Sequence, residues 1–201
     1  MAKVFDDILL QGIRSGQAPA RTSTARTWFR NKAQDVGRIS ETSLIRGASK
    51  ERQADPTTFQ VGSMYCFLYD PKHKKTLPYY DKFPLIFPIG NAKGGFIGIN
   101  FHYLPYPLRA KLMDALYGTV TNESYDITTK MKISYGILNG AAKFGVFKPT
   151  VKHYLVQHIR SKLIYVHPSE WDIALFLDTA RFQGASQSQV WKDSRAAINS
   201  K

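Results

Sequence analysis

The sequence predicts an α+β fold: a small bent antiparallel β-barrel-like sheet with inserted helices and an extended N-terminal arm. Three observations predict it. The composition changes at Phe59, before which large aliphatic residues are sparse and after which three aromatic-rich runs follow one another between turn signals. From Pro107 the apolar spacing changes to a helical period. A short apolar run, Leu163–Val166, then returns to strand character and is placed to close the sheet. Residues 1–58 are read as a basic, loosely ordered arm, 59–178 as the compact domain and 179–201 as a polar C-terminal extension.

Within the arm, Val4, Ile8, Leu9 and Ile13 fit a short amphipathic helix that stops near Gly12 or Gly16. Between Arg14 and Lys32 stand five basic residues and no acidic one, and up to Thr58 the chain holds too few large aliphatics to build a core of its own. In the compact domain, strands are expected over 64–69, 84–89 and 96–103, forming a meander. Pro84 and Pro88 point to an edge or a strand end for the second, and Gly98 to a bulge in the third. Leu108, Leu112, Ala115 and Leu116 share one face of a helix ended by Gly118; a second helix is expected over 126–144, where Gly136 and Gly140 weaken it or allow close packing. A third, over 150–161, would bury Val151, Tyr154, Leu155, His158 and Ile159. Pro168 opens a last helix, with Glu170 and Asp172 at its positive end. The segment from Asp178 is rich in Gln and Ser, held by Phe182 and Trp191.

Composition narrows the function. The 201 residues carry 28 Lys plus Arg against 15 Asp plus Glu, a formal charge of +13, which draws in polyanions, nucleic acid foremost. Proteins that merely sit beside nucleic acid are basic too. The lone Cys66 excludes an intramolecular disulfide and a multi-thiolate metal site and suits a reducing compartment. No secretory signal or bilayer-spanning run is expected, so no membrane partner is.

No arrangement that supports catalysis stands out, and neither an enzymatic activity nor a cofactor is expected. No Gly-Lys-Ser/Thr loop is present, and Gly94, Gly95 and Gly98 are read as turn chemistry. His153 and His158, five apart, fall on different faces of a helix and cannot share a metal. Glu170 and Asp172 are explained by the helix start.

The strongest signal is a run of charge. From Ile127 to Ser169, 43 residues, there are Lys130, Lys132, Lys143, Lys148, Lys152, Arg160 and Lys162 and no carboxylate, with His153 among them. On the expected third helix Lys152, His153 and Arg160 project outward, giving either a solvated face or one that holds the phosphates of double-stranded DNA without reading sequence. Lys72, Lys74 and Lys75 form a second cluster at a loop tip, and Arg21, Arg26 and Arg30 a third in the arm. The strand aromatics are read as packing. Tyr79, Tyr80, Tyr103 and Tyr106 lie in connections and are expected to be exposed, at subunit contacts rather than under bases.

Five stretches carry a resemblance: Tyr69-Asp-Pro-Lys-His-Lys-Lys-Thr-Leu-Pro-Tyr-Tyr-Asp-Lys-Phe-Pro-Leu-Ile-Phe-Pro-Ile89, Gly95-Phe-Ile-Gly-Ile-Asn-Phe-His-Tyr-Leu-Pro105, Arg109-Ala-Lys-Leu-Met-Asp-Ala-Leu-Tyr117, Pro168-Ser-Glu-Trp-Asp-Ile-Ala-Leu-Phe-Leu177 and Val190-Trp-Lys-Asp-Ser-Arg195. Over most of residues 63–195 the chain resembles a virion-protein family of contractile-tailed, T-even-type phages, cyanophage relatives included. The resemblance implies a DNA end protector, or head-completion, protein that binds the ends of packaged DNA and shields them from host exonuclease. It implies a place in the virion, and in the host cytoplasm during assembly, beside portal, neck or baseplate subunits. It carries over no catalytic residue. The alternatives are a neck or baseplate subunit acting through protein contacts, and a generic cellular nucleic-acid-binding domain.

Overall fold

A computed structural model of the chain describes residues 3–18, 22–120, 122, 124–143 and 145–199. The elements run α1 (Lys3–Arg14), α2 (Ser23–Asp35), α3 (Glu41–Arg46), β1 (Gln53–Ala54), β2 (Met64–Cys66), β3 (Tyr80–Asp81), β4 (Leu85–Ala92), β5 (Gly95–Asn100), α4 (Tyr106–Val120), α5 (Ile127–Lys143), β6 (Val151–Leu155), β7 (Leu163–Val166), α6 (Trp171–Phe176), β8 (Phe182–Gln183) and α7 (Gln187–Asn199). The mixed α+β class follows from the two periods read in the sequence, and β2, β4 and β5 form the expected meander. Among the described residues no helix is long and apolar enough to cross a membrane.

The main sheet is antiparallel with order β1-β7-β2-β4-β5-β6, and β3 pairs with β8 apart from it. Alternation sorts its side chains onto two buried faces. Met64, Cys66, Leu85, Phe87, Ile99, Ile164 and Val166 join the helices in one cluster. Tyr65, Phe67, Tyr69, Ile86, Phe96, Tyr154 and Leu163 form an aromatic cluster on the other.

Several expectations are corrected. The barrel does not close: β1 and β6 stand at opposite ends of the order, unpaired with each other. Pro88 lies in an interior strand, tolerated at a register shift between Pro88 and Gly90; the irregularity therefore falls on β4, opposite Gly98, and not on Gly98 itself. The expected helix over 150–161 is instead β6 followed by a 3-10 turn, Val156–His158. Val151, Tyr154, Leu155 and Ile159 satisfy a helical spacing, but β5 offers an open edge, and Gly95↔Leu155 through Ile99↔Val151 fill it. Gly95 is required there, since a Cβ would lie 1.8 Å from the Tyr154 carbonyl oxygen. A Cβ at Gly136 or Gly140 meets nothing within 4 Å among the described residues, so close packing is not their role.

The N-terminal segment is not a loosely ordered arm. Phe5, Ile8, Phe29, Ala33 and Leu44 are buried in the same cluster as the sheet. Ala25, Phe29 and Ala33 recur at one helical turn and put the apolar stripe of α2 against α6. Thr22 caps α2 by accepting the Ala25 N–H at 3.1 Å, and β1 pairs with β7. The C-terminal segment ends in α7, which buries Val190 and Ser194; as expected Trp191 holds it, donating its indole N–H to the His102 carbonyl at 2.8 Å. Pro168 and Glu170 open a 3-10 turn, Pro168–Glu170, that leads into α6, with Glu170 accepting the His167 N–H at 3.2 Å in its capping box. Glu170 and Asp172 also pair with Arg52 and Arg30, a role the helix start alone does not explain.

Candidate nucleic-acid interface

Two of the basic clusters, 80 residues apart in the chain, meet in space. Asp70 N–H donates to the His158 carbonyl at 3.0 Å, and Arg160 N–H to the Leu68 carbonyl at 2.8 Å, which ties the 71–79 connection to the segment after β6. Pro71, His73 and their carbonyls close tight turns that hold Lys72, His73, Lys74 and Lys75 outward. Arg160 comes within 3.8 Å of Asp70, which Lys74 also bonds at 2.9 Å. The Lys74 hydrogen bond, and the charges of Arg160 and His158 after it, hold the Asp70 carboxyl below its usual range, so it stays ionised. One carboxylate thus serves Lys74 and Arg160, while Lys72 and Lys75 stand exposed on the same connection.

Between the 71–80 connection and β6 lies an open cleft of about 500 Å³. Lys72, His73, Leu77, Tyr79 and Tyr80 line one wall and Lys152 and His153 the other, with Tyr69, Asp81, Tyr103 and Tyr154 beneath. Lys152 is half-buried and its Nζ stands 4.1 Å from the Tyr103 ring centroid. Burial holds its pKa below the usual lysine value. Burial also raises the Tyr69, Tyr79 and Tyr103 phenols, so the lining is neutral apart from its cations and Asp81.

Asp81 is silenced by hydrogen bonds. Its carboxylate accepts from the Phe83 and Arg181 N–H groups, from Asn100 at 3.1 Å and from His102 Nδ1 at 2.6 Å. Burial would raise its pKa, but His102 and these donors outweigh that and lower it. With the His102 proton on Nδ1, Nε2 accepts from the Thr179 hydroxyl at 3.2 Å. The Asp81–His102–Thr179 chain has the connectivity of a nucleophile and its base, which no sequence motif disclosed; His102, Asp81 and Thr179 are 0%, 3% and 5% exposed, and the trio holds strand ends together. Among the described residues no group of three or more His, Cys, Asp or Glu could hold a metal.

The other expected contacts separate into three sets. Lys162 is exposed but bonds Asp55 at 3.0 Å, and that carboxyl, with the Thr57 N–H as its first partner, is held at about 2. The expectation that local carboxylates leave Lys162 and Arg160 unneutralised is therefore corrected, because both partners come from outside the acid-free run. Lys148 and Lys132 are exposed on other elements, the turn Gly145–Thr150 and α5; Lys130 and Lys143 lie on α5 with side chains outside the described residues, as is Arg21. Arg26 and Arg30 turn inward and are structural. Arg30 bonds Asp172 and Asp114, each at 2.7 Å, and Arg26 reaches Asp114 at 3.4 Å. Tyr103 is buried and Tyr106 stacks on Phe176 with centroids 5.3 Å apart, so neither is the exposed contact expected; Tyr79 and Tyr80 are half-exposed.

A model of the family described as phage T4 terminal DNA protecting protein matches residues 7–195. No curated protein and no solved structure matches the chain.

Proposed function

The chain belongs to the phage T4 terminal DNA protecting protein family, and from that membership we propose that it is a non-enzymatic virion protein that holds the ends of packaged double-stranded DNA through the basic rim of the cleft. The observation that carries this reading is the meeting of Arg160 with the 71–79 connection, where Lys74 and Arg160 share the single carboxylate of Asp70 beside exposed Lys72 and Lys75. Such a rim attracts phosphate by charge and is indifferent to sequence, which suits a protein that must accept whatever sequence stands at an end. Exposed Lys148 extends the positive surface on a neighbouring segment. Assembly from the host cytoplasm into the virion beside portal or neck subunits completes the reading.

The test is a salt titration of binding to linear and to closed circular duplex, with the wild type and a Lys75→Glu/Arg160→Glu variant. Each lost phosphate contact should flatten the slope of log affinity against log salt by about 0.9. Equal slopes for the two proteins would remove the rim from the interface. Equal affinity for linear and circular DNA would leave general DNA binding and overturn end recognition. A second reading, a neck or baseplate subunit, is favoured by exposed apolar residues on the N-terminal helices, Leu10 at 50% and Ile13 at 62% exposure. It predicts that Leu10→Glu/Ile13→Glu blocks incorporation into particles while DNA binding in solution persists.

A further inference from the structure

We propose that the cleft between the 71–80 connection and β6 receives the terminal nucleotide of a DNA strand, with its phosphate at Lys152 and its base against Tyr79 and Tyr80. This rests on the DNA-binding reading above and goes beyond it, from a charged surface to a pocket for the end itself.

Lys152 is the first observation. Its side chain is half-buried, its ammonium makes no hydrogen bond or ion pair among the described residues, and its Nζ stands 4.1 Å from the Tyr103 ring centroid. A half-buried cation without a counter-ion is costly, and an anion entering the cleft would supply the missing partner. Burial has already lowered its proton affinity, and a phosphate would raise it again. Asp81 beneath does not take that place, because its oxygens are committed to four other donors.

Size is the second observation. A cavity of 500 Å³ is about 8 Å on a side, within the range of small-ligand sites. The major groove of a duplex is alone about 12 Å wide, so a paired helix stays outside and only an unpaired nucleotide enters. The lining is the third. Tyr79 and Tyr80 are partly exposed next to exposed Leu77, and Tyr103 and Phe182 back the Tyr79 ring with centroids 6.1 and 6.4 Å away, an aromatic surface on which a base can stack without being read. Lys72 and His153 stand on opposite walls, where the next phosphate along the strand would pass. A free end offers such a nucleotide when it frays; a closed circle does not. Recognition of ends then needs no sequence preference.

The experiment compares full-length wild type, Lys152→Met and Tyr79→Leu on a linear duplex with short single-stranded overhangs and on the same duplex capped by hairpin loops. A 5′-phosphorylated oligothymidylate, titrated into wild type by NMR, reads the tyrosine rings directly and requires no variant. Wild type should prefer open ends, each variant should lose about tenfold of that preference, and the oligothymidylate should move the Tyr79 and Tyr80 resonances. Open-end preference retained in both variants overturns the pocket and leaves DNA-end binding standing. Equal wild-type affinity for open and capped DNA overturns both the pocket and end recognition. Absence of duplex binding with the tyrosines still shifted by the oligothymidylate supports the pocket and overturns the wider reading.

Discussion

Arg109 is fully buried, and three backbone carbonyls surround its guanidinium: Leu104 and Leu175 at 2.7 Å and His102 at 3.3 Å. The ring faces of Tyr106 and Trp191 flank it, and burial brings its pKa down to about 10, so it stays charged at neutral pH. One planar fork thereby fastens the turn before α4, the end of α6 and, through Trp191, α7. Arg109→Lys keeps the charge but cannot span three acceptors, and should cost about 2–4 kcal/mol in urea unfolding. His102 is sensitive in a different way. Burial, with Arg109 and Arg181 adding to it, holds the imidazole below its ordinary 6.5 in spite of Asp81. The unfolded chain therefore takes up a proton near that value while the folded one does not. The stability contributed by neutral His102 is present above pH 6.5 and drains away as the pH falls below it, by at most about 1.4 kcal/mol per unit. Melting followed from pH 7 to 5 should show this decline, and His102→Gln should flatten it.

At the scale of elements, α1 and α2 touch through a glycine. A Cβ on Gly12 would stand 2.4 Å from Cζ of Phe29, a ring 1% exposed with no room to retreat. Gly12→Val should therefore lower stability by about 1–3 kcal/mol, whereas Gly136→Ala, on the open side of α5, should raise it by about 0.5–1 kcal/mol. Thermal melts of the two variants check both signs. The same pair of helices shows what sequence could disclose. Apolar spacing located α1, α4 and α5, and apolar or aromatic runs between turn signals located β2, β4, β5 and β7, because those signals are local. The docking of α2 was hidden, since its stripe holds one large residue, Phe29, between two alanines, and its counter-charge Asp172 lies 142 residues away. β6 was hidden because a five-residue strand with Val, Tyr and Leu also fits a helical period; only the edge of β5 decides. The clusters at 72–75 and 152–160 were each legible as charge. Their meeting around a cleft was not, for it depends on the Leu68–Asp70 contacts with His158 and Arg160.

At the scale of the whole molecule, the charge of +13 is partitioned. Arginines on the helical side are matched: Arg30 with Asp114 and Asp172, Arg52 with Glu170, Arg181 with Glu41. Lysines and Arg160 around the cleft outnumber their acids. Part of the excess thereby falls on the surface proposed to meet DNA, and the arginine pairs act as fasteners.

Those fasteners also set an order in time. Arg30 and Asp172 are 142 residues apart, Glu41 and Arg181 140, and Arg52 and Glu170 118. Synthesis proceeds at about 5–20 residues per second, so on the order of ten seconds pass between the emergence of α2 from the ribosome and that of α6, its seat. Throughout that interval Phe29 and the arginines beside it have neither their apolar cover nor their carboxylates. The first segment made is thus among the last to be secured. Nascent chains stalled before Trp171 should be cut readily within residues 22–58, and chains released at full length should resist.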